Sequence, residues 1–248
     1  MKHTVVINKH KINKNAVRNG CIFCLLYDIY LEKFIMIILI DNGHGENTEF
    51  NGKFSPFLSD VEIPEEFITK NRFREWRYNR IISKQVVDIL VNMGYDARLV
   101  TPEDKDISLS ERIRRINTIC NKEGAGNVVL VSIHSNAKGD GSSWQDAKGW
   151  EAYTTRGETK SDKLADLLYK RADAYFKGRK IREDWSDGDR DKETDFYIIK
   201  KAYCPAVLTE NFFYDNKDDL KYLTSEEGIH SVVRTHVEGI IDFVNFKK

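Results

Sequence analysis

From Met36 onward the chain alternates two kinds of hydrophobic spacing. Short runs of aliphatic and β-branched residues recur at Met36–Asp41, Tyr95–Val100, Asn127–His134, Trp150–Thr154 and Pro205–Glu210. Apolar runs of this length, bounded by Gly, Pro or polar clusters, are the pattern of strands buried on both faces. Between them, apolar residues return at three- and four-residue steps. This spacing predicts helices over Asn71–Met93, Leu109–Glu123, Ser161–Phe176 and Ser225–Phe246. The first carries Tyr78, Ile82, Val86, Ile89 and Met93 as its stripe. Gly94 and Gly124 are placed to end the first two helices, and Ser108 or Ser110 to cap the second. Phe196–Ile199 reads as a further short strand. Asn47–Lys70 and Ala137–Gly149 read as surface loops, and the charged stretch Lys177–Glu193 as a solvated loop or lid. Strands separated by helices imply βαβ units. The predicted fold is therefore α/β, a single domain with a mostly parallel sheet and helices on both faces.

No linker or repeat divides residues 36–248, which are expected to form one catalytic domain. Residues 1–35 stand apart as an N-terminal extension. Their apolar stretch Cys21–Tyr27 is short, Asp28, Glu32 and Lys33 put charges directly after it, and no A-x-A-like site is present. That is a poor signal peptide and too broken to cross a bilayer. The expectation is an extension that is disordered or not native, with Met36 as the natural start. The 248 residues carry 39 basic and 39 acidic side chains, so no global charge draws the chain to nucleic acid or anionic membrane. Cys21-x-x-Cys24 has no second pair to complete a zinc pattern and is read as incidental. Cys120 and Cys204, in apolar surroundings, are expected to be buried.

Candidate chemistry collects at strand ends. The run Ile37–Ile40 leads into D-N-G-H-G with His44, Val128 onward closes on His134, and Ala206–Thr209 leads to Glu210. In an open parallel sheet such residues gather in the crevice beyond the carboxyl ends of the strands. Glu75, three residues before Tyr78 and seven before Ile82, shares the apolar face of its helix. A carboxylate aimed at a core costs several kcal/mol unless a partner or cation offsets it. Asn79, four residues later, is placed to orient that carboxylate. Two imidazoles and one carboxylate make a catalytic zinc set with an open fourth position, leaving Glu210 as general base for amide hydrolysis. Each residue also has a plainer reading. Either His can be a hydrogen-bonded structural residue, Glu75 a solvated helix residue, and Glu210 the partner of an Arg. Spacing alone leaves both readings open. His236, on the stripe of the closing helix, is read as a core-edge residue rather than a ligand.

At these residues the chain resembles the zinc-dependent N-acetylmuramoyl-L-alanine amidases of the amidase type 3 family. The motifs are I-L-I-D-N-G-H-G, with Asn42 where the family has proline, Glu75-Trp76-Arg77-Tyr78-Asn79, and Ser132-Ile133-His134-Ser135-Asn136-Ala137. Pro205 to Glu210, followed by Asn211-Phe212-Phe213 and Asn216, is a fourth, and Ser108–Arg112 and Trp150–Tyr153 match between. The resemblance covers roughly residues 36–244. It implies one Zn2+ on His44, Glu75 and His134, with Glu210 as the catalytic glutamate. The implied substrate is the amide between N-acetylmuramic acid and L-alanine in peptidoglycan. Asn136 and Asn79 are candidate substrate contacts. Phe54, Phe57, Trp144 and Trp150 are read as sugar-stacking surfaces or loop anchors. A zinc peptidase or carboxypeptidase acting on stem peptides, and an inactive wall-binding module, are the alternatives. The place of action is the cell wall, reached by export or as a phage-type lysin released at lysis.

Overall fold

The computed structural model describes residues 36–46 and 53–246. The chain divides into two units, Met1–Ile35 and Met36–Lys248, and the expectations attached to residues 1–35 lie outside the described residues. Along the second unit run β1 (Ile37–Asn42), a small hairpin of β2 (Ile68–Thr69) and β3 (Arg72–Phe73), α1 (Glu75–Asn92), β4 (Ala97–Leu99) and α2 (Leu109–Glu123). Then come β5 (Val128–Asn136), β6 (Glu151–Thr154), α3 (Lys160–Tyr175), β7 (Lys192–Glu193), the short α4 (Tyr197–Lys200), β8 (Ala206–Phe213), α5 (Lys217–Leu223) and α6 (Glu226–Phe246).

The main sheet has the order β4-β1-β5-β8-β6-β7. β4, β1, β5 and β8 are parallel, β6 joins β8 antiparallel, and β7 lies parallel to β6. Side chains alternate between two cores. Ile38, Ile40, Val129, Val131, Ile133 and Val207 meet α1, α3 and α6, while Ile37, Leu39, Val128, Leu130, Ala206 and Leu208 meet α2 and α4. That is why the strand runs are apolar throughout instead of alternating: both faces of the sheet are covered. Cys120 and Cys204 are free, buried thiols. No helix of the described residues is long and apolar enough to cross a membrane.

Several elements differ from their predicted form. Phe196–Ile199 is not a strand; Tyr197–Lys200 is a helical turn. Consecutive Ile198 and Ile199 are both buried against α2, which a two-residue strand period cannot achieve. The first helix begins at Glu75, because Arg72–Phe73 is held in the hairpin. Its buried stripe runs Tyr78, Ile82, Val86, Leu90, leaving Ile89 and Met93 exposed. β5 and β8 run past His134 and Glu210, to Asn136 and Phe213, so both residues sit within strands near their ends. The polar tail of β5 stays in the sheet because Asn136 pairs with Phe213 after a register shift. The Lys177–Glu193 stretch is no free excursion: Ile181 bridges Trp150, and Lys192–Glu193 forms the edge strand.

Caps obey the expected chemistry. The Ser108 hydroxyl accepts from the amide of Glu111, and Gly94 and Gly124 take positive φ after α1 and α2. The helix α2 also carries Arg112, which is buried and clamps the end of β1. Its Nη1 donates to Asp41 Oδ1 and to the carbonyl of Asn42, both at 2.7 Å. Its Nη2 donates to the carbonyl of His44 at 2.9 Å, and its Nε to the carbonyl of Ile107 at 2.8 Å. The second oxygen of Asp41 accepts from the Ser132 hydroxyl at 2.6 Å. Removing one partner of such a buried pair leaves an uncompensated charge, which costs about 3–5 kcal/mol. Arg112→Ala should therefore lower unfolding free energy by about that amount in urea titration. Arg112→Lys should not restore it, since an ammonium lacks the planar fork. A loss below about 1 kcal/mol, the level of an exposed pair, would contradict this role.

Candidate active site

Adjacent parallel strands β1, β5 and β8 end at the same edge of the sheet, and the four candidate residues converge there. His44 comes after β1 in the turn Gly43-His44-Gly45. The left-handed backbone of this turn falls on His44 itself, at φ 62°. A non-glycine residue in that region is strained by about 1–3 kcal/mol and persists only where surroundings hold it. Here Arg112 Nη2 and Arg80 Nη1 both donate to the His44 carbonyl, at 2.9 and 3.0 Å. The glycines serve close approach instead. A Cβ on Gly43 would lie 2.2–2.6 Å from the imidazole of His134, and one on Gly45 would lie 2.2 Å from the Asp106 backbone.

Glu75 is the first residue of α1 and only 1% exposed. A helix N-terminus favours a negative charge. Its Oε1 accepts from the Ser135 amide and from Asn79 Nδ2, each at 3.2 Å, and lies 3.2 Å from His134 Nδ1. Its Oε2 lies 3.3 Å from His44 Nε2. Burial opposes ionisation, yet the His44 and His134 rings hold the carboxyl well below the usual range. For His134, burial works against the charge, but the Glu75 hydrogen bond and the charge of Glu210 raise its pKa. The two rings pack edge to face, centroids 4.9 Å apart. One donor atom from each of His44, Glu75 and His134 lies within 4.8 Å of the others. Ligands about 2.0–2.2 Å from a tetrahedral ion stand about 3.3–3.6 Å apart, and N/O donors suit zinc. The contacts of 3.3 Å from Oε2 to His44 and 3.2 Å from Oε1 to His134 lie close to that spacing.

Glu210 stands opposite His134 on one side and Glu151 on the other. Its Oε2 is buried and accepts no hydrogen bond among the described residues. Burial pushes its pKa up to about 8, with the negative charges of Glu75 and Glu151 adding to the effect and His134 and Lys53 opposing it. Glu151 is held very differently. Its Oε1 accepts from Asn136 Nδ2 at 2.7 Å and the Tyr153 hydroxyl at 2.9 Å, and its Oε2 from Arg182 at 2.6 Å and Lys192 at 2.5 Å. Burial resists its ionisation, but Lys192 and Arg182 keep its pKa low. Two neighbouring carboxyls thus have opposite tendencies, one fixed as an anion and one able to take a proton. All four candidate residues line a cavity of about 340 Å³, walled by Lys53 and by Leu109, Phe196 and Tyr197.

The remaining expectations resolve unevenly. Asn79 is fully buried behind Glu75, donating also to the Gly43 carbonyl at 3.2 Å, so it orients the carboxylate instead of facing the cavity. Asn136 does line the cavity, with its amide engaged by Glu151 and the Ala137 N–H. Trp150 is a fully buried core residue donating to Asn211 Oδ1, and no stacking surface. The Arg72 guanidinium lies over one ring face of Phe54 and of Phe57, though Phe57 stays 58% exposed, and the Trp144 ring centre lies 5.6 Å from Lys217 Nζ. His236 is fully buried and not at the core edge. Its Nδ1 donates to the Val232 carbonyl at 2.7 Å, leaving Nε2 to accept from the Thr209 hydroxyl at 2.8 Å. Burial lowers its pKa to about 4. Asn211 then links Thr209 to the His134 carbonyl. Reading the residues alone overlooked Arg112, Glu151, Lys53, Leu109, Phe196 and Tyr197. For Glu151 the signal existed, since a charge inside a buried strand demands partners.

The family model for N-acetylmuramoyl-L-alanine amidase matches residues 38–242. The chain is 31% identical over 221 residues to the endolysin of Bacillus phage SPP1, an alignment covering 86% of this chain and 67% of that one. It is 30% identical over 147 residues to the N-acetylmuramoyl-L-alanine amidase CwlM of Bacillus licheniformis, covering 58% of this chain and 49% of the relative. Among solved structures, the N-acetylmuramoyl-L-alanine amidase AmiC2 of Nostoc punctiforme superposes with a TM-score of 0.64 at 22% identity. That match covers 85% of this chain and 97% of AmiC2, and shows the fold.

The raised pKa of Glu210 has a measurable consequence in metal-free protein. Above about pH 4.3 an unfolded glutamate has lost its proton, while the folded chain retains it up to about 8. The folded state binds the extra proton in that window, so stability falls as pH rises through it. The raised pKa of His134 adds a loss above about pH 6.5, and Glu75 acts only below the usual carboxylate range. Other buried groups titrate in the same range, Asp191 adding to the decline up to about pH 7 and His236 opposing it below about pH 6.5, so the Glu210 share is the difference between wild type and Glu210→Gln in chelator. Glu210→Gln should make the decline shallower by up to about 1.4 kcal/mol per pH unit. An identical slope in wild type and variant would refute the assignment.

Proposed function

The chain belongs to the N-acetylmuramoyl-L-alanine amidase family, and from that premise we propose that it hydrolyses the amide joining the lactyl group of N-acetylmuramic acid to L-alanine in peptidoglycan. One zinc ion, held by His44, Glu75 and His134, would serve this reaction. The observation that carries the reading is a fully buried carboxylate bracketed by two imidazoles, with the undonated Oε2 of Glu210 in the same cavity. Zinc, when bound, supplies a Lewis acid that polarises the amide carbonyl and lowers the pKa of water to about 7.

The side chains do the rest. Glu210 takes a proton from the attacking water and returns it to the leaving amine as the C–N bond breaks and the new C–O bond remains. Burial raises its pKa to about 8 in the metal-free chain, and a divalent charge in the same cavity would favour the carboxylate form that accepts the proton of water. Glu151, tied down by Arg182 and Lys192, stays ionised beside it and disfavours a second anion. Asn79 and the Ser135 amide fix the orientation of Glu75, and Gly43 lets the His134 ring sit against the β1 turn. Phe196 and Tyr197, 40% and 42% exposed at the cavity wall, offer apolar faces to a sugar.

Glu210→Gln should keep its metal and lose about 10²–10⁴-fold in kcat. His134→Ala should lose metal as well as turnover. Metal content by atomic absorption, together with a digest of purified peptidoglycan, checks both. Free L-alanine amines on stem peptides are the expected products. Cuts confined to the peptide would favour the peptidase reading, and metal-loaded protein without turnover would favour a wall-binding module.

A further inference from the structure

A second group of carboxylates lies away from the cavity, where Asp162, Asp189 and Asp191 place one oxygen each within 4.8 Å of the others. Asp162 is in the first turn of α3, and the other two precede β7 in the segment D-W-S-D-G-D-R-D, Asp184 to Asp191. Asp191 is 1% exposed. Its Oδ2 accepts from the Thr154 hydroxyl at 2.6 Å, but its buried Oδ1 accepts from no donor among the described residues. Asp189 Oδ1 is buried and in the same state. The cations of this segment are spent elsewhere: Arg190 on Asp173 and Glu183, Arg182 and Lys192 on Glu151. Buried carboxylate oxygens without donors are costly, and the negative charge of Asp162, whose own oxygens accept from Thr159, adds to the cost for Asp189 and Asp191. We propose that Asp162, Asp189 and Asp191 form a binding site for one hard divalent cation, calcium, which fastens the 177–193 segment to β6 and α3.

The chemistry selects the ion. All donors are oxygens, which suit calcium and not zinc. Calcium–oxygen bonds of about 2.3–2.6 Å allow two ligands on one ion to stand up to roughly 5 Å apart. The observed spacing falls inside that reach. Burial, the charges of Asp189 and Asp162 and a hydrogen bond with the Asp189 carboxyl raise the pKa of Asp191 to about 7, consistent with an acidic cluster lacking a counter-charge. Asp162 also caps α3 through Thr159, so its position is fixed before any ion arrives. The ion would hold the segment from which Arg182 and Lys192 reach Glu151, and so brace the strand beside Glu210.

The test uses the full chain loaded with zinc in calcium-free buffer, titrated with calcium chloride. Calorimetry should show one calcium per chain, and Tm should rise by about 3–6 °C at saturation. Asp189→Asn and Asp162→Asn, both at partly exposed positions, should each lose at least tenfold in calcium affinity. His44→Ala, which disables the proposed zinc site, should keep the full calcium response. No saturable heat or Tm shift in the wild-type chain overturns the proposal. So does a shift that persists unchanged in both asparagine variants, or one that vanishes in His44→Ala. If either asparagine variant fails to fold, stoichiometry in the wild type and in His44→Ala decides.

Discussion

Burying the carboxylate of Glu75 is the constraint on which the site rests. An ionised carboxylate in a core is strongly unfavourable unless every lone pair finds a donor or a positive partner. The structure supplies these four partners from three parts of the chain: the amide of Asn79, the ring of His44, and the ring of His134 with the backbone N–H of Ser135. The helix N-terminus adds a favourable field. Each partner must come close, and each approach imposes a further requirement. Gly43 must lack a side chain for the His134 ring, and His44 must accept a strained backbone to turn its imidazole inward.

Two charged networks hold these requirements in place from opposite sides. On one side Arg112 gathers Asp41, Asn42 and His44, joining α2 to the end of β1. On the other, Arg182 and Lys192 reach from the 177–193 segment to Glu151 on β6. Glu210 lies between, on β8, with no such partner for Oε2 among the described residues. The contrast between satisfied and unsatisfied carboxyls, all within one sheet edge, holds Glu151 as an anion and raises the pKa of Glu210. Behind the sheet, neutral His236 continues the support through Thr209 and Asn211 to the His134 carbonyl.

The parts of the fold visible in the chain were those governed by local periodicity. Runs buried on both faces announced β1, β5 and β8, and the four long helices kept to their three- and four-residue spacing. The failures share a cause. Phe196–Ile199 is apolar enough for a strand, but its two isoleucines are claimed by α2, a contact between residues far apart in sequence. Trp150 looked like a surface aromatic beside a glycine-rich loop, yet Tyr169 and Phe176 of distant segments enclose it. Asn79 was assigned both an orienting and a substrate role, and only its burial behind Glu75 separates them.

By itself the sequence singled out His44, Glu75, His134 and Glu210, which the structure brings to one cavity, and the α/β order that carries strand ends to one edge. These come from residue type and hydrophobic period, which are properties of neighbours in the chain. Tertiary structure alone decided the rest: which carboxyl stays ionised, which one carries a proton, and which cations brace them. The reason is that desolvation and Coulomb terms depend on distances between residues scores apart, such as Arg112 with Asp41 or Lys192 with Glu151. Those distances exist only once the sheet has assembled.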